Sequence, residues 1–219
     1  MTAITQEELQ TAVHAALVQW GKPAEDQTAP LSGLLLVQNQ LAANQGGLPF
    51  GWRYAVDRVL LDSIDLLAEQ DEAGAMVLRS RFLDGKITRQ VAQEMYASVD
   101  QVNRWQRAAI DALSQLLYYQ ETKLRAELIQ ALETSLPPAS YSQFFGFSQI
   151  RQIVAAQLVQ DTAPWIIALT GIGGIGKTSL ADVVAREALP SLAFKQICWL
   201  RVEQQQFSGA ALPPDRAYQ

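Results

Sequence analysis

Apolar positions over the first 135 residues recur at the three- and four-residue spacing of helices rather than in alternation. Thr5-Gln6-Glu7-Glu8 reads as a capping box ahead of an apolar-periodic segment to Trp20, which Gly21-Lys22-Pro23 ends. A second helix is predicted over 31–44, stopped by Gln45-Gly46-Gly47-Leu48-Pro49. A longer one is predicted over 52–68, with Val56, Val59, Leu60, Ile64 and Leu67 on one face. Residues 73–83 read as a helix stopped by Asp84-Gly85-Lys86, and residues 88–95 as a short helix. Ser98 then opens another helix, with Gln101 three residues later to complete a capping box. Its apolar stripe is Val102, Trp105, Ala109, Ala112, Leu113, Leu116 and Leu117; Asp100, Gln101, Asn103, Arg104 and Arg107 fall outside the stripe.

Leu136-Pro137-Pro138-Ala139-Ser140 breaks the helical pattern and reads as a linker. The pattern beyond it differs. Trp165-Ile166-Ile167-Ala168-Leu169-Thr170 is a short apolar run of the kind that forms a buried parallel strand. A glycine-rich turn follows at once, and residues 179–188 continue with Leu180, Val183, Val184 and Ala188 at helical spacing. This divides the chain into an all-α part, 1–135, a linker, 136–140, and an α/β part, 141–219.

Composition adds limits. Of the 219 residues 49% are apolar, and 17 basic against 22 acidic groups give a net charge of −5. Such a balance excludes a generally basic nucleic-acid coat and a polybasic membrane anchor. No apolar run approaches the ~20 residues of a membrane span. Glu7 and Glu8, with no basic residues before them, argue against a signal peptide, so a cytoplasmic protein is expected. The single cysteine, Cys198, excludes an internal disulfide and is expected to be buried in a strand; the lone His14 adds nothing to a metal site. The charge is also uneven: residues 1–135 carry 11 basic and 17 acidic groups, and residues 136–219 carry 6 and 5.

Helix, tight turn, capped helix over 73–117 is the plan of a helix-turn-helix unit. The run Arg81-Phe82-Leu83-Asp84-Gly85-Lys86-Ile87-Thr88-Arg89-Gln90-Val91-Ala92-Gln93-Glu94-Met95, continued through 98–107, resembles the C-terminal helix-turn-helix of sigma factors. Ala92 stands where the two helices cross, and Val102 at the core position of the recognition helix. Tyr96-Ala97 occupies the turn where that family has a glycine and an aliphatic residue, which costs more if the turn needs φ > 0. The resemblance implies DNA contact through Gln101, Asn103, Arg104 and Arg107. Against it stand the acidic first half and the balance of Arg104 and Arg107 by Asp100 and Asp111, since phosphate neutralisation supplies most non-specific affinity. A packing or partner-binding module is the competing reading.

Gly171-Ile172-Gly173-Gly174-Ile175-Gly176-Lys177-Thr178 matches the P-loop pattern G-x-x-x-x-G-K-[ST], which average composition produces by chance about once in thirty thousand windows. Glycines let the backbone curl so that consecutive N–H groups face phosphate oxygens, and the helix start adds a positive dipole end. Gly171, Gly173, Gly174, Ile175, Gly176, Lys177, Thr178 and Ser179 are therefore the expected nucleotide contacts, with Lys177 on the β- and γ-phosphates and the Thr178 hydroxyl on Mg²⁺. The expected fold class is α + α/β: an all-α N-terminal domain with a helix-turn-helix, followed by the β-α-β start of a P-loop NTPase domain.

Phe145-Gly146-Phe147-Ser148, then Ile150, Ile153 and Leu158, then strand and loop, resemble signal-transduction NTPases of the NB-ARC and NACHT type. The resemblance implies that Phe145 and Gly146 lie against the adenine. Phe147 stands where those proteins usually carry an arginine. Residues 193–202, with Ile197-Cys198-Trp199-Leu200, are similar to that family's second strand, and 203–207 to the segment after it. In that family the strand bearing an acidic Mg²⁺ partner separates these two strands. No such acidic strand follows Val202, so the N-terminal piece of a longer protein or a truncated gene product is expected, itself without hydrolysis; Glu203 is the first suspect if hydrolysis occurs. The resemblance implies a switch controlled by ATP or ADP with Mg²⁺, its output carried by the N-terminal domain. That output is either transcriptional regulation through DNA or protein–protein signalling, with self-association also open and no role for a membrane.

Overall fold

The computed structural model describes residues 4–21, 31–43, 51–160, 162 and 166–201. Lys22 and Pro23, the stop at 45–49, Trp165, Val202 and the segment 203–207 lie outside the described residues. Eight α-helices are present among the described residues: α1 (Gln6–Val18), α2 (Leu35–Ala43), α3 (Gly51–Ala68), α4 (Glu72–Leu78), α5 (Thr88–Glu94), α6 (Val99–Thr134), α7 (Ser148–Leu158) and α8 (Lys177–Ala188). The chain divides into two compact units, Met1–Leu128 and Ile129–Gln219, with the boundary inside α6. No helix among the described residues is long and apolar enough to cross a membrane.

In the first unit the sequence periodicities become one core. Thr5 caps α1 by accepting from the Glu8 N–H, while Glu8 accepts from the Thr5 N–H, so the capping box forms in both directions. Leu9, Val13 and Leu17 of α1 pack with Val56, Leu60 and Ile64 of α3 and with Leu113 and Leu117 of α6. Each such side chain contributes about 2 kcal/mol through burial. Glu121, itself buried, accepts from the backbone N–H groups of Leu35 and Leu36 and pairs with Arg125 at 2.9 Å. A carboxylate on α6 thus satisfies the orphan donors at the start of α2.

The predicted helix over 73–83 is α-helical only to Leu78; Arg79–Leu83 continue it as a π-helical turn. That wider turn ends in an exposed bend, where the Arg81 guanidinium donates to the Lys86 carbonyl and Lys86 pairs with Glu94 at 2.8 Å. Val77, Val91, Ala92 and Val102 form a small second core that pins α4, α5 and the start of α6 together. Ser98 accepts from the Gln101 N–H at 3.1 Å, as its position predicts. Tyr96 adopts φ +52°, the left-handed conformation that costs a side-chain-bearing residue about 1–2 kcal/mol.

In the second unit, Leu132, Leu136 and Leu189 form the buried cluster on which Ile197 and Trp199 pack. Here the expectation of a β-α-β unit is not met: among the described residues there is no β-strand. A strand exists through a neighbour's N–H and C=O groups, and no other described segment supplies them to 166–170 or 196–201. Burial is one-sided as a result. Ile166 is 85% exposed and Leu200 63%, whereas Ile197 and Trp199 face the cluster. Cys198, expected to be buried, is exposed because it falls on the outward side of this alternation.

Candidate functional site

Residues 171–176 form a loop that runs directly into α8. Gly174 has φ +77° and Gly176, the residue preceding α8, φ +97°. Both lie in the region where a Cβ is strained, which is why glycine is needed there. Leu180, whose N–H donates to the Gly176 carbonyl at 2.8 Å, anchors the first turn in the interior. The helix-start N–H groups before it have no intrahelical acceptor. Lys177 folds back over the loop, its ammonium donating to the carbonyls of Gly171 at 3.0 Å and Ile172 at 2.8 Å. One positive charge, a helix start and a glycine-bent backbone therefore converge on one short segment, and anions are what such a segment attracts. Thr178 and Ser179 follow in the same turn, with Thr178 exposed.

The loop forms one wall of a cavity of about 250 Å³ lined by Phe147, Ile150, Thr170, Ile175, Lys177 and Leu180, among others. Phe147, Ile150, Ala168, Leu169, Thr170 and Leu180 line it without having been assigned to the site from the sequence. The signal for Phe147 was its place just before α7, where the chain must turn. Phe145 is 79% exposed and does not line this cavity, and Gly146 beside it has φ +81°. A larger cavity, about 360 Å³, lies in the first unit and is lined by Leu36, Val59, Asp62, Lys123, Leu124 and Glu127, among others. Its charges are of both signs, which selects no anion, so the smaller cavity carries the candidate chemistry.

Behind the loop, α8 is tied to the segment preceding α7. Asp182, buried, accepts from the Tyr141 hydroxyl at 2.6 Å and from Arg186 at 3.0 Å. Arg186 also donates to the Pro137 carbonyl at 2.6 Å and to Glu133 at 3.3 Å. Burial, then the bond to Asp182, pushes the Tyr141 phenol above its ordinary value, and the Asp182 carboxylate holds the Arg186 guanidinium more firmly protonated. The four residues expected to read DNA, Gln101, Asn103, Arg104 and Arg107, sit on the first turns of α6 in the other unit, with Arg104 and Arg107 exposed.

A glycine-bent loop with a lysine at the start of the following helix is similar in type to the phosphate-binding loops of P-loop nucleotide-binding proteins. Residues 148–212 match the family described as the NB-ARC domain, and the second unit is accordingly similar to NB-ARC P-loop NTPases. Over 96 residues the chain is 29% identical to the probable disease resistance RPP8-like protein 4 of Arabidopsis thaliana, covering 44% of this chain and 10% of that protein. It is 30% identical over 81 residues to the disease resistance protein RPP8 of the same plant, covering 37% and 9%. It is 29% identical over 96 residues to the putative inactive disease susceptibility protein LOV1, covering 44% and 13%. The chain thus spans roughly a tenth of the length of the curated relatives it matches. No solved structure matches it significantly.

Proposed function

We propose that the chain is a nucleotide-binding regulatory switch of the signal-transduction NTPase class, binding ATP or ADP with Mg²⁺ through residues 171–179. The observation that carries this reading is the Lys177 ammonium resting on the carbonyls of Gly171 and Ile172 at the start of α8. A phosphate offers this cation stronger, charge-assisted bonds than two neutral carbonyls do. The backbone N–H groups of Gly173, Gly174 and Gly176 complete the phosphate cradle, and the Thr178 hydroxyl supplies a protein ligand to Mg²⁺. Titration calorimetry with Mg-ATP tests it. Binding by the wild type that Lys177→Ala weakens at least tenfold is the expected result, and equal affinity for the two contradicts it.

The output belongs to the first unit. Two readings stand, transcriptional regulation through Gln101, Asn103, Arg104 and Arg107, and a protein–protein adaptor. A specific observation favours the adaptor. At the turn between α5 and α6, Tyr96 is 99% exposed and Val99 43%, and Ile87, just before α5, is 60% exposed; these are apolar side chains that a phosphate backbone does not seek. The net negative charge of this half of the chain acts in the same direction. The similarity to disease resistance proteins fits a signalling role in defence.

A further inference from the structure

We propose that the first unit carries a ligand site of its own, for a free amino acid with an apolar side chain, in the groove between α2, α3 and α6. The site lies wholly within that unit and does not depend on the nucleotide reading. Its volume, about 360 Å³, falls within the range of small-molecule pockets, roughly 300–1,000 Å³. Chemically distinct surfaces meet in it. Leu36 on α2, Val59 on α3 and Leu124 on α6 supply apolar surface, one residue from each helix. Ser63 is buried, and its hydroxyl donates to the Val59 carbonyl at 2.8 Å, so its oxygen keeps lone pairs for another donor. Lys123 and Glu127 add one charge of each sign from α6.

Those two charges identify the ligand class. They stand four residues apart, the spacing at which opposite charges on a helix pair. Elsewhere in this protein that spacing closes in the same base-then-acid order, Arg53 with Asp57 at 3.0 Å and Arg58 with Asp62 at 3.2 Å. Glu121 and Arg125, in the reverse order, close at 2.9 Å. Lys123 and Glu127 stay apart, and among the described residues neither has an ion-pair or hydrogen-bond partner. Both line the cavity instead. Asp62, the other charge in the lining, is already taken by Arg58. An anion alone would meet the Glu127 charge, and a cation alone the Lys123 charge. A zwitterion satisfies both, its carboxylate on Lys123 and its ammonium on Glu127, with the Ser63 oxygen as a further acceptor. The apolar surface of Leu36, Val59 and Leu124 then takes the side chain.

The test is a set of dissociation constants from NMR titration of the 219-residue chain without nucleotide. The probes are L-leucine, L-alanine, N-acetyl-L-leucine and L-leucine amide, each with the wild type, Lys123→Met and Glu127→Gln. Both positions are exposed, and the amide spectra show directly that each variant keeps the fold. L-leucine should shift the amides around Leu36, Val59 and Leu124. It should bind at least tenfold more tightly than L-alanine, since each buried CH₂ contributes about fourfold. Acetylation removes the ammonium and amidation the carboxylate, so each derivative should bind about threefold or more weakly than L-leucine, the scale of an exposed ion pair. Lys123→Met should weaken L-leucine by a similar factor and leave L-leucine amide unchanged. Glu127→Gln should weaken L-leucine and leave N-acetyl-L-leucine unchanged. Equal affinity for L-leucine and its two derivatives would mean that the groove takes apolar side chains regardless of charge, as from a peptide, and overturns the proposal. So does L-leucine affinity in either variant within threefold of the wild type, or the absence of any saturable shift in the wild type.

Discussion

The Glu8 carboxylate accepts from the Thr5 N–H and from the Thr5 hydroxyl, both at 2.8 Å. These bonds, the backbone one foremost, hold its pKa below the 4.5 of an unperturbed glutamate. Because the folded value lies below the unfolded one, the stabilisation is present above pH 4.5 and is lost as the pH falls through the folded value. Glu8→Gln has no such titration. On going from pH 6 to pH 3 the wild type should therefore lose more Tm than Glu8→Gln does; equal losses would remove the carboxylate from the account. Residues of this kind were legible in the sequence, because a capping box is a local pattern that needs only four positions. Tyr96 was half legible. The missing glycine was visible, but its positive φ is set by how α5 and α6 meet on Val91, Ala92 and Val102. Phe147 was not legible as a cavity wall, since its place depends on Phe144 and Tyr141 folding back against α8.

At the scale of elements, helices were readable and strands were not. The stripes of α3, α6 and α8 became buried faces because helical hydrogen bonds close within the element, so a short-range pattern suffices. The runs at 166–170 and 196–201 have the composition of strands, but a ladder needs a partner that the local pattern cannot supply. The linker expected at 136–140 carries more structure than its prolines suggest, with Leu136 buried and the Pro137 carbonyl held by Arg186. This arrangement predicts unequal values for two arginines that both pair with acids. Arg186→Ala leaves buried Asp182 with the Tyr141 bond alone and should cost the second unit about 2 kcal/mol. Arg151→Ala breaks a pair whose Glu187 partner is 41% exposed and should cost about 0.5 kcal/mol. Urea unfolding followed by the fluorescence of Trp199 measures both. Equal costs would mean that burial of Asp182 does not govern the contact.

For the molecule as a whole, two units of different character share one chain, a helical unit with an apolar exposed turn and a unit built around a glycine-rich loop. The adaptor reading makes a prediction at this scale. Selection from random duplexes at about 50 mM salt, where the screening length exceeds 10 Å and favours detection, should enrich no sequence. Crosslinking from position 96 should instead capture a protein, either a partner or a second copy. Enrichment of one sequence, weakened by Arg104→Ala and by added salt, would establish the DNA reading in its place.

The central claim is that residues 171–179 bind the phosphates of a nucleotide, and the backbone amides of that segment report on it directly. Titrating Mg-ADP into isotope-labelled protein should move the amide resonances of Gly173, Gly174, Gly176, Lys177 and Thr178 most strongly, with the same titration on Lys177→Ala leaving them nearly still. Shifts concentrated instead around the larger cavity, at Leu36, Val59 and Lys123, or no shifts at all, would contradict the claim.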